Sequence, residues 1–263
     1  MNKYNSKSLT QNLDALFEVD NYSYFHSDSF HAESRTRQEV AFIRDQMCLN
    51  KEMVVLDLAC GHGRHTNALA PAVSRIIGID RSEEFISLAR TCARLDSIEN
   101  VTYVHGDIHH TDYNGEFDGV LLLNTVLGLA QIEKEIMLMK RISRALKPSG
   151  LFCFDVINRD TILVDLQPHY IYEKDGDFML DRLSFDEQTG RMENARVYIR
   201  RGVVVNAPFS LRLYNYTEIN DLLTSAGLEI VKVFADWLAT PMTWNSKKMV
   251  IIAQVIQSDK KSY

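Results

Sequence analysis

The spacing of apolar and polar positions changes several times along the chain, and each change marks an element. Residues 9–19 and 32–48 carry helical spacing. In the second stretch Val40, Phe42, Ile43 and Met47 share one face, with charged residues elsewhere. Between them, residues 21–29 mix aromatic and polar groups (Tyr22, Tyr24, Phe25, His26) and read as a loop, either a lid or a tether packed on the core. Residues 53–58 then form a short β-branched run of strand length, followed by a glycine turn and a helix from about Arg64. Further strands are expected at 75–79, 101–105, 117–123 and 151–156. Helices are expected from Ser82, a plausible N-cap, to about Leu95, and over 131–146, where Pro148 and Gly150 stop the pattern. Strand alternating with helix predicts a parallel sheet covered on both faces, with right-handed crossovers.

After Asn158 the period shortens. Residues 177–214 hold short β-like stretches punctuated near Gly190 and Gly202, read as two to four antiparallel strands. Residues 216–226 are helical and stop at Gly227. Residues 228–235 and 248–256 close the chain as a hairpin with a long connection.

Composition adds limits. The chain has 263 residues, 46% of them hydrophobic and 24% charged, enough for a sizeable core. A net charge of −6 argues against a large nucleic-acid surface. Cys48, Cys60, Cys92 and Cys153 form no CxxC pair. The polar start over 1–12 lacks the apolar stretch of a signal peptide, so the expectation is a cytoplasmic protein with reduced thiols. With no run of about 18 apolar residues, no membrane span is expected.

The chemistry concentrates in Asp57-Leu58-Ala59-Cys60-Gly61-His62-Gly63-Arg64-His65-Thr66. A buried strand feeds a glycine turn and a helix whose first amides are unpaired, so the backbone can approach a ligand closely. Asp80 ends the next strand, nineteen residues beyond Gly61, where a carboxylate can accept from both hydroxyls of a ribose. The third glycine of a dinucleotide fingerprint is replaced by Thr66, which points away from a pyrophosphate.

This segment resembles the first motif of class I S-adenosylmethionine-dependent methyltransferases. Gly78-Ile79-Asp80, Gly106-Asp107-Ile108, Phe117-Asp118-Gly119-Val120 through Asn124, and Leu146-Lys147-Pro148-Ser149-Gly150 are similar to later motifs in the same order. The resemblance implies an α/β fold: a Rossmann-like parallel sheet of about seven strands with a C-terminal antiparallel hairpin, plus an inserted small antiparallel β segment. It implies S-adenosyl-L-methionine as cofactor and four segments. These are an N-terminal helical lid over 1–50, a cofactor-binding core over 51–158, an inserted acceptor roof or dimer contact over 159–214, and the closing helix and strands over 215–257. It also implies roles: Asp57, Ala59, Gly61 and Gly63 along the cofactor's methionine and sugar, Asp80 on the ribose, Arg81 and Ile108 flanking the adenine, Asp107 on its amino group, and Asn124 near the sulfonium. Small-molecule members often place an arginine about two dozen residues before the glycine turn, to pair with the cofactor carboxylate. Arg35, 24 residues before Ala59, fits, with Arg37 as fallback.

The acceptor side is less legible. Tyr24 and His31 are the candidates for base or gate, and Asn158 and Tyr214 for the substrate wall. The leading expectation is in-line transfer to a nitrogen or oxygen of a small molecule. The alternatives are an RNA or protein methyltransferase, or a cofactor-binding module without catalysis. His62, His65, His109 and His110 do not form a convincing metal set, and a homo-oligomer stays open.

Overall fold

The computed structural model describes residues 10–27 and 33–257. Along the chain come α1 (Leu13–Leu16), α2 (Val19–Phe25), α3 (Glu33–Gln46), β1 (Val54–Leu58), α4 (Arg64–Leu69), β2 (Arg75–Asp80), α5 (Glu83–Leu95), β3 (Val101–His105), β4 (Phe117–Leu122), α6 (Ile132–Ala145), β5 (Leu146–Ile157) and α7 (Arg159–Ile162). There follow β6 (His169–Lys174), β7 (Asp177–Asp186), β8 (Arg191–Asn194), β9 (Val197–Arg200), β10 (Val203–Asn206), β11 (Phe209–Arg212), α8 (Tyr216–Ser225), β12 (Leu228–Phe234) and β13 (Lys248–Val255).

Two compact units divide these elements. The larger takes Glu33–Ile162 with the described part of Tyr214–Tyr263. The smaller takes the described part of Met1–Ala32 with Leu163–Leu213. This division differs from the four segments read in the sequence. Helix α3 joins the larger unit because Phe42, Ile43 and Met47 share a core with Val55, Leu121 and Cys153. Helices α1 and α2 join the inserted β segment, with Leu16 and Phe25 clustering with Tyr198 and Ala207.

In the larger unit a seven-stranded sheet runs β12-β13-β5-β4-β1-β2-β3. Strands β1 to β5 pair in parallel; β13 runs antiparallel to β5 and β12 antiparallel to β13. The sheet is covered on both faces, and the residues show why. Val120 and Leu122 of β4 enter one core with Leu138 and Ile142 of α6 and Ile219 and Leu223 of α8. Leu121 and Leu123 enter the other, with Phe42 and Ile43 of α3 and Leu69 of α4. Side chains alternate across a strand, so a strand apolar at every position must be sandwiched. The Ser82 hydroxyl caps α5 by accepting from the Phe85 amide at 3.2 Å, as its sequence predicts.

The smaller unit carries six strands among the described residues, five of them within 177–214, more than the two to four expected there, and β6 ahead of that range. Strand β6 pairs with β7 along its whole length but is exposed on both faces, so it has no apolar alternation to read. Residues 21–25, expected as loop, belong to α2. The Glu18 carboxylate caps this helix by accepting from the Asp20 and Asn21 amides, and Phe25 stacks on Tyr198 with ring centroids 5.4 Å apart.

Candidate active site

The site is built where β1 leaves the sheet. Ala59, Gly61 and Gly63 all take left-handed backbone, with φ of 57°, 55° and 77°. The turn is pinned by the Cys60 amide donating to the Ile79 carbonyl and the Gly63 amide donating to the Cys60 carbonyl, both at 3.0 Å. The two glycines have different reasons. A Cβ on Gly61 would meet nothing within 4 Å, so this position faces open space where a ligand can lie against bare backbone. A Cβ on Gly63 would lie 2.2 Å from the Tyr103 hydroxyl and 2.9 Å from Ala89 Cβ. Gly63 is therefore demanded by packing, a reason the sequence reading did not supply.

Asp80 sits beside this turn at the end of β2, 8% exposed. Its carboxylate accepts from the Gly61 amide at 2.8 Å and the Ser82 amide at 2.9 Å, tying the elbow to the head of α5. Burial raises its pKa above the usual carboxylate value, partly offset by those backbone donors. Beneath the turn, Asp57 is buried and accepts the Thr66 hydroxyl at 2.6 Å. Burial lifts its carboxyl to about 7. Thr66 thus stands at the third-glycine position as the partner of Asp57, and Asp57 supports the turn from below.

Asp107 follows β3 and opens the short 3-10 turn Ile108–His110 by accepting from the His109 amide at 2.9 Å. Burial would raise its carboxyl, but the His109 amide and the neighbouring His109 and His110 outweigh this and hold it below the usual range. Ile108 is partly buried against the core. Arg81 is exposed, and its carbonyl lies 3.0 Å from His105 Nε2.

Two buried carboxylates organise the opposite side. Glu39 of α3, 1% exposed, accepts from Arg35 Nε at 2.8 Å, Arg64 at 2.5 Å and His65 Nε2 at 2.7 Å. Burial alone would raise its carboxyl; the His65 hydrogen bond and the guanidinium groups outweigh it and hold it well below the usual range. Burial lowers His65 against the opposing pull of Glu39, whose carboxylate lies 2.7 Å from its Nε2. Arg64 also reaches Thr36 at 3.1 Å and the Asn124 side-chain oxygen at 3.2 Å. Asn124 and Thr125 are consecutive left-handed residues, with φ of 65° and 57°. The buried Asp155 holds them, accepting from the Asn124 amide at 2.6 Å, the Thr125 hydroxyl at 3.2 Å and Lys248 at 2.6 Å.

The larger unit therefore brings Arg35, Ala59, Gly61, Gly63, Asp80, Arg81, Asp107, Ile108 and Asn124 to the carboxyl ends of β1 to β4 or to helix α3. Open α/β sheets bind ligands at that end. Sequence reasoning missed Glu39 and Arg64. The available signal for Glu39 was a carboxylate on the buried stripe of α3, beside Phe42 and Ile43. Asn158 and Tyr214 bridge each other and are 3% and 2% exposed. The Asn158 amide donates to the Thr161 hydroxyl and the Ser246 carbonyl. Tyr24 lies in the smaller unit, its hydroxyl donating to the Lys174 carbonyl at 2.9 Å. Burial, then the carboxylates of Asp177 and Asp175, push its phenol above the usual range, the opposite of what a base at neutral pH needs. His31 lies outside the described residues. Among the described residues no group of three or more His, Cys, Asp or Glu is placed to hold a metal, and no helix is long and apolar enough to cross a membrane.

A methyltransferase domain model matches residues 49–191, more than half of the chain and all of the elbow. The chain belongs to the class I S-adenosylmethionine-dependent methyltransferases. This methyltransferase is 25% identical over 207 residues to the putative methyltransferase YqeM of Bacillus subtilis, covering 76% of this chain and 83% of that protein. Its fold is similar to that of an S-adenosylmethionine-dependent methyltransferase from Clostridium acetobutylicum, with TM-score 0.77, 19% identity and coverage of 90% and 98%. It is also similar to the 1,6-didemethyltoxoflavin-N1-methyltransferase of Burkholderia thailandensis, with TM-score 0.60, 20% identity and coverage of 93% and 89%.

Proposed function

We propose that this methyltransferase moves the methyl group of S-adenosyl-L-methionine to a nitrogen or oxygen atom of a small molecule. The observation that carries the reading is the pairing of open backbone at Gly61 with the buried Asp80 carboxylate beside it. The Asp80 carboxylate is held by the Gly61 amide on one oxygen and the Ser82 amide on the other, and its four lone-pair sites leave capacity for a ribose hydroxyl. Ala59, Gly61 and Gly63 would line the methionine and sugar. Arg81 and Ile108 would flank the adenine, with Asp107 on its amino group and Asn124 near the sulfur. Arg35 on α3 would take the carboxylate. When bound, the cofactor supplies a methyl group already activated by its sulfonium. The chain's task is then to hold the acceptor atom in line at about 3 Å and to exclude water, which can lower the barrier by several kcal/mol. A small-molecule acceptor is supported by the structural neighbour described as an N1-methyltransferase with bound 1,6-didemethyltoxoflavin and S-adenosylhomocysteine, and by the chain's net charge of −6.

The test is an isotope-labelled methyl donor incubated with the protein and, in parallel, with a panel of small amines and phenols, total RNA, and a peptide mixture. Label in the small-molecule arm supports the proposal. Label confined to RNA or peptide replaces the acceptor class. Stabilisation by the donor without transfer to any arm turns the chain into a binding module. A thermal shift with NADH and none with the donor removes the cofactor assignment.

A further inference from the structure

Six residues form a linked series through the larger unit: Arg35, Glu39, Arg64, Asn124, Asp155 and Lys248. Glu39 joins the two arginines, Arg64 reaches Asn124, and Asp155 takes the Asn124 amide and the Lys248 ammonium. They come from α3, the first position of α4, the loop after β4, and strands β5 and β13. The two carboxylates and the arginine between them and Asn124 are shielded, with side chains of Glu39, Asp155 and Arg64 2%, 0% and 11% exposed, while Asn124 itself is exposed. The end is wet: the Arg35 side chain is 42% exposed.

Burying ions costs several kcal/mol each unless every lone pair and donor is engaged. Glu39 meets that demand with three donors, and Arg64 with three acceptors, Thr36 and Glu39 on α3 and Asn124 after β4. A greasy contact would fill the same volume between α3 and α4. What an ion pair adds is direction, since a carboxylate held by a planar guanidinium fixes the plane of that guanidinium. Arg64 stands directly after the glycine elbow, and Asn124 lies in a left-handed pair that the Asp155 bonds help hold in place. The network therefore controls the side of the elbow away from Asp80.

We propose that Glu39 is a positioning residue for cofactor recognition: through Arg35 and Arg64 it presets the pocket for the amino-acid end of S-adenosylmethionine, while Asp80 serves the nucleoside end. This rests on the cofactor reading above. Glu39 touches no ligand itself; it sets the Arg35 guanidinium through Nε and draws α3 against the head of α4.

The two ends separate experimentally with two probes. S-adenosylhomocysteine carries the amino-acid end, and 5′-methylthioadenosine lacks it. Titration calorimetry of the full chain is expected to show that Glu39→Gln weakens S-adenosylhomocysteine by about tenfold or more and 5′-methylthioadenosine by less than about threefold. Arg35→Gln, on an exposed side chain, gives the same signature, and adding Glu39→Gln to it costs less than the two single losses combined. If Glu39→Gln does not fold, Arg64→Lys keeps the charge, loses the fork, and must show the same selective loss. Equal losses for both probes, or additive losses in the double variant, overturn the proposal in favour of a purely structural role. Asp80→Ala must weaken both probes. If wild-type protein binds neither, the cofactor reading itself fails, and the proposal with it.

Discussion

The two units of this chain both contain strained backbone and buried charge, but for different reasons. In the smaller unit the left-handed residues come as Asp175-Gly176 and Arg201-Gly202, each a two-residue turn between antiparallel strands, and as Gly190 in the longer turn between β7 and β8. Strand twist favours positive φ at both centres of such turns, so hairpin geometry accounts for them. Its inner ion pair is a closed bidentate one, Arg196 on Asp181 at 2.6 and 2.7 Å. In the larger unit Cys48, Ser97 and Ala239 take left-handed backbone in loops away from the elbow, and at the elbow and beside it Ala59, Asn124 and Thr125 do so without a glycine's freedom and outside any hairpin. Four buried carboxylates, Glu39, Asp57, Asp80 and Asp155, underlie or flank those residues. Strain with a topological cause marks a fold; strain without one, held by buried acids, marks a site.

The comparison breaks most visibly at Gly63. Gly63→Ala puts a methyl group into Tyr103, whose hydroxyl is itself anchored on Asn67 at 2.7 Å and cannot simply swing away. Overpacking added to left-handed strain is expected to cost roughly 4 kcal/mol or more, leaving little soluble folded protein. A normal unfolding midpoint for this variant would show that the elbow has slack at Gly63.

The next effect is one of pH. Asp57 is lifted by burial from 3.8 to about 7, so the folded state holds a proton that the unfolded chain releases. For an acid shifted upward, stability falls as pH rises through that window. Asp57→Asn abolishes the ionisation and keeps an acceptor for Thr66. Urea unfolding should therefore show the variant gaining roughly 2–4 kcal/mol on wild type between about pH 4 and pH 8. Parallel pH curves for the two proteins would mean that Asp57 is not the group responsible.

Gly176→Ala sharpens the contrast from the other unit. Its φ of +83° is unfavourable for alanine, but a Cβ there meets nothing within 4 Å. The expected cost is about 1 kcal/mol with cofactor affinity unchanged, read by thermal unfolding and by titration. A loss of cofactor binding would show that the hairpin turn belongs to the site after all.

Much of the larger unit is legible in the sequence because its apolar runs have strand length and its helices carry caps. The Val54–Leu58 run, Ser82 and Gly227 all behave as their local chemistry says. The smaller unit is less legible. Strand β6 is held by backbone pairing and buries neither face, and α2 is capped by a glutamate and filled with aromatics that read as loop. Within the site, Asp80 and Gly61 show themselves through spacing from a strand. Glu39 and Arg64 do not, because their meaning is a contact across 25 positions that no local pattern encodes. Gly63 is legible as a glycine but not for its reason, which lies in Tyr103.

The most direct measurement is calorimetric titration of S-adenosylhomocysteine into wild type, Gly61→Ala and Asp80→Ala. Both substitutions touch the elbow, one at the open backbone of Gly61 and one at the carboxylate beside it, and neither removes apolar core packing. Wild-type binding that weakens by about tenfold or more in each variant, with cooperative unfolding retained, is the predicted result. Undiminished affinity in both variants would contradict it.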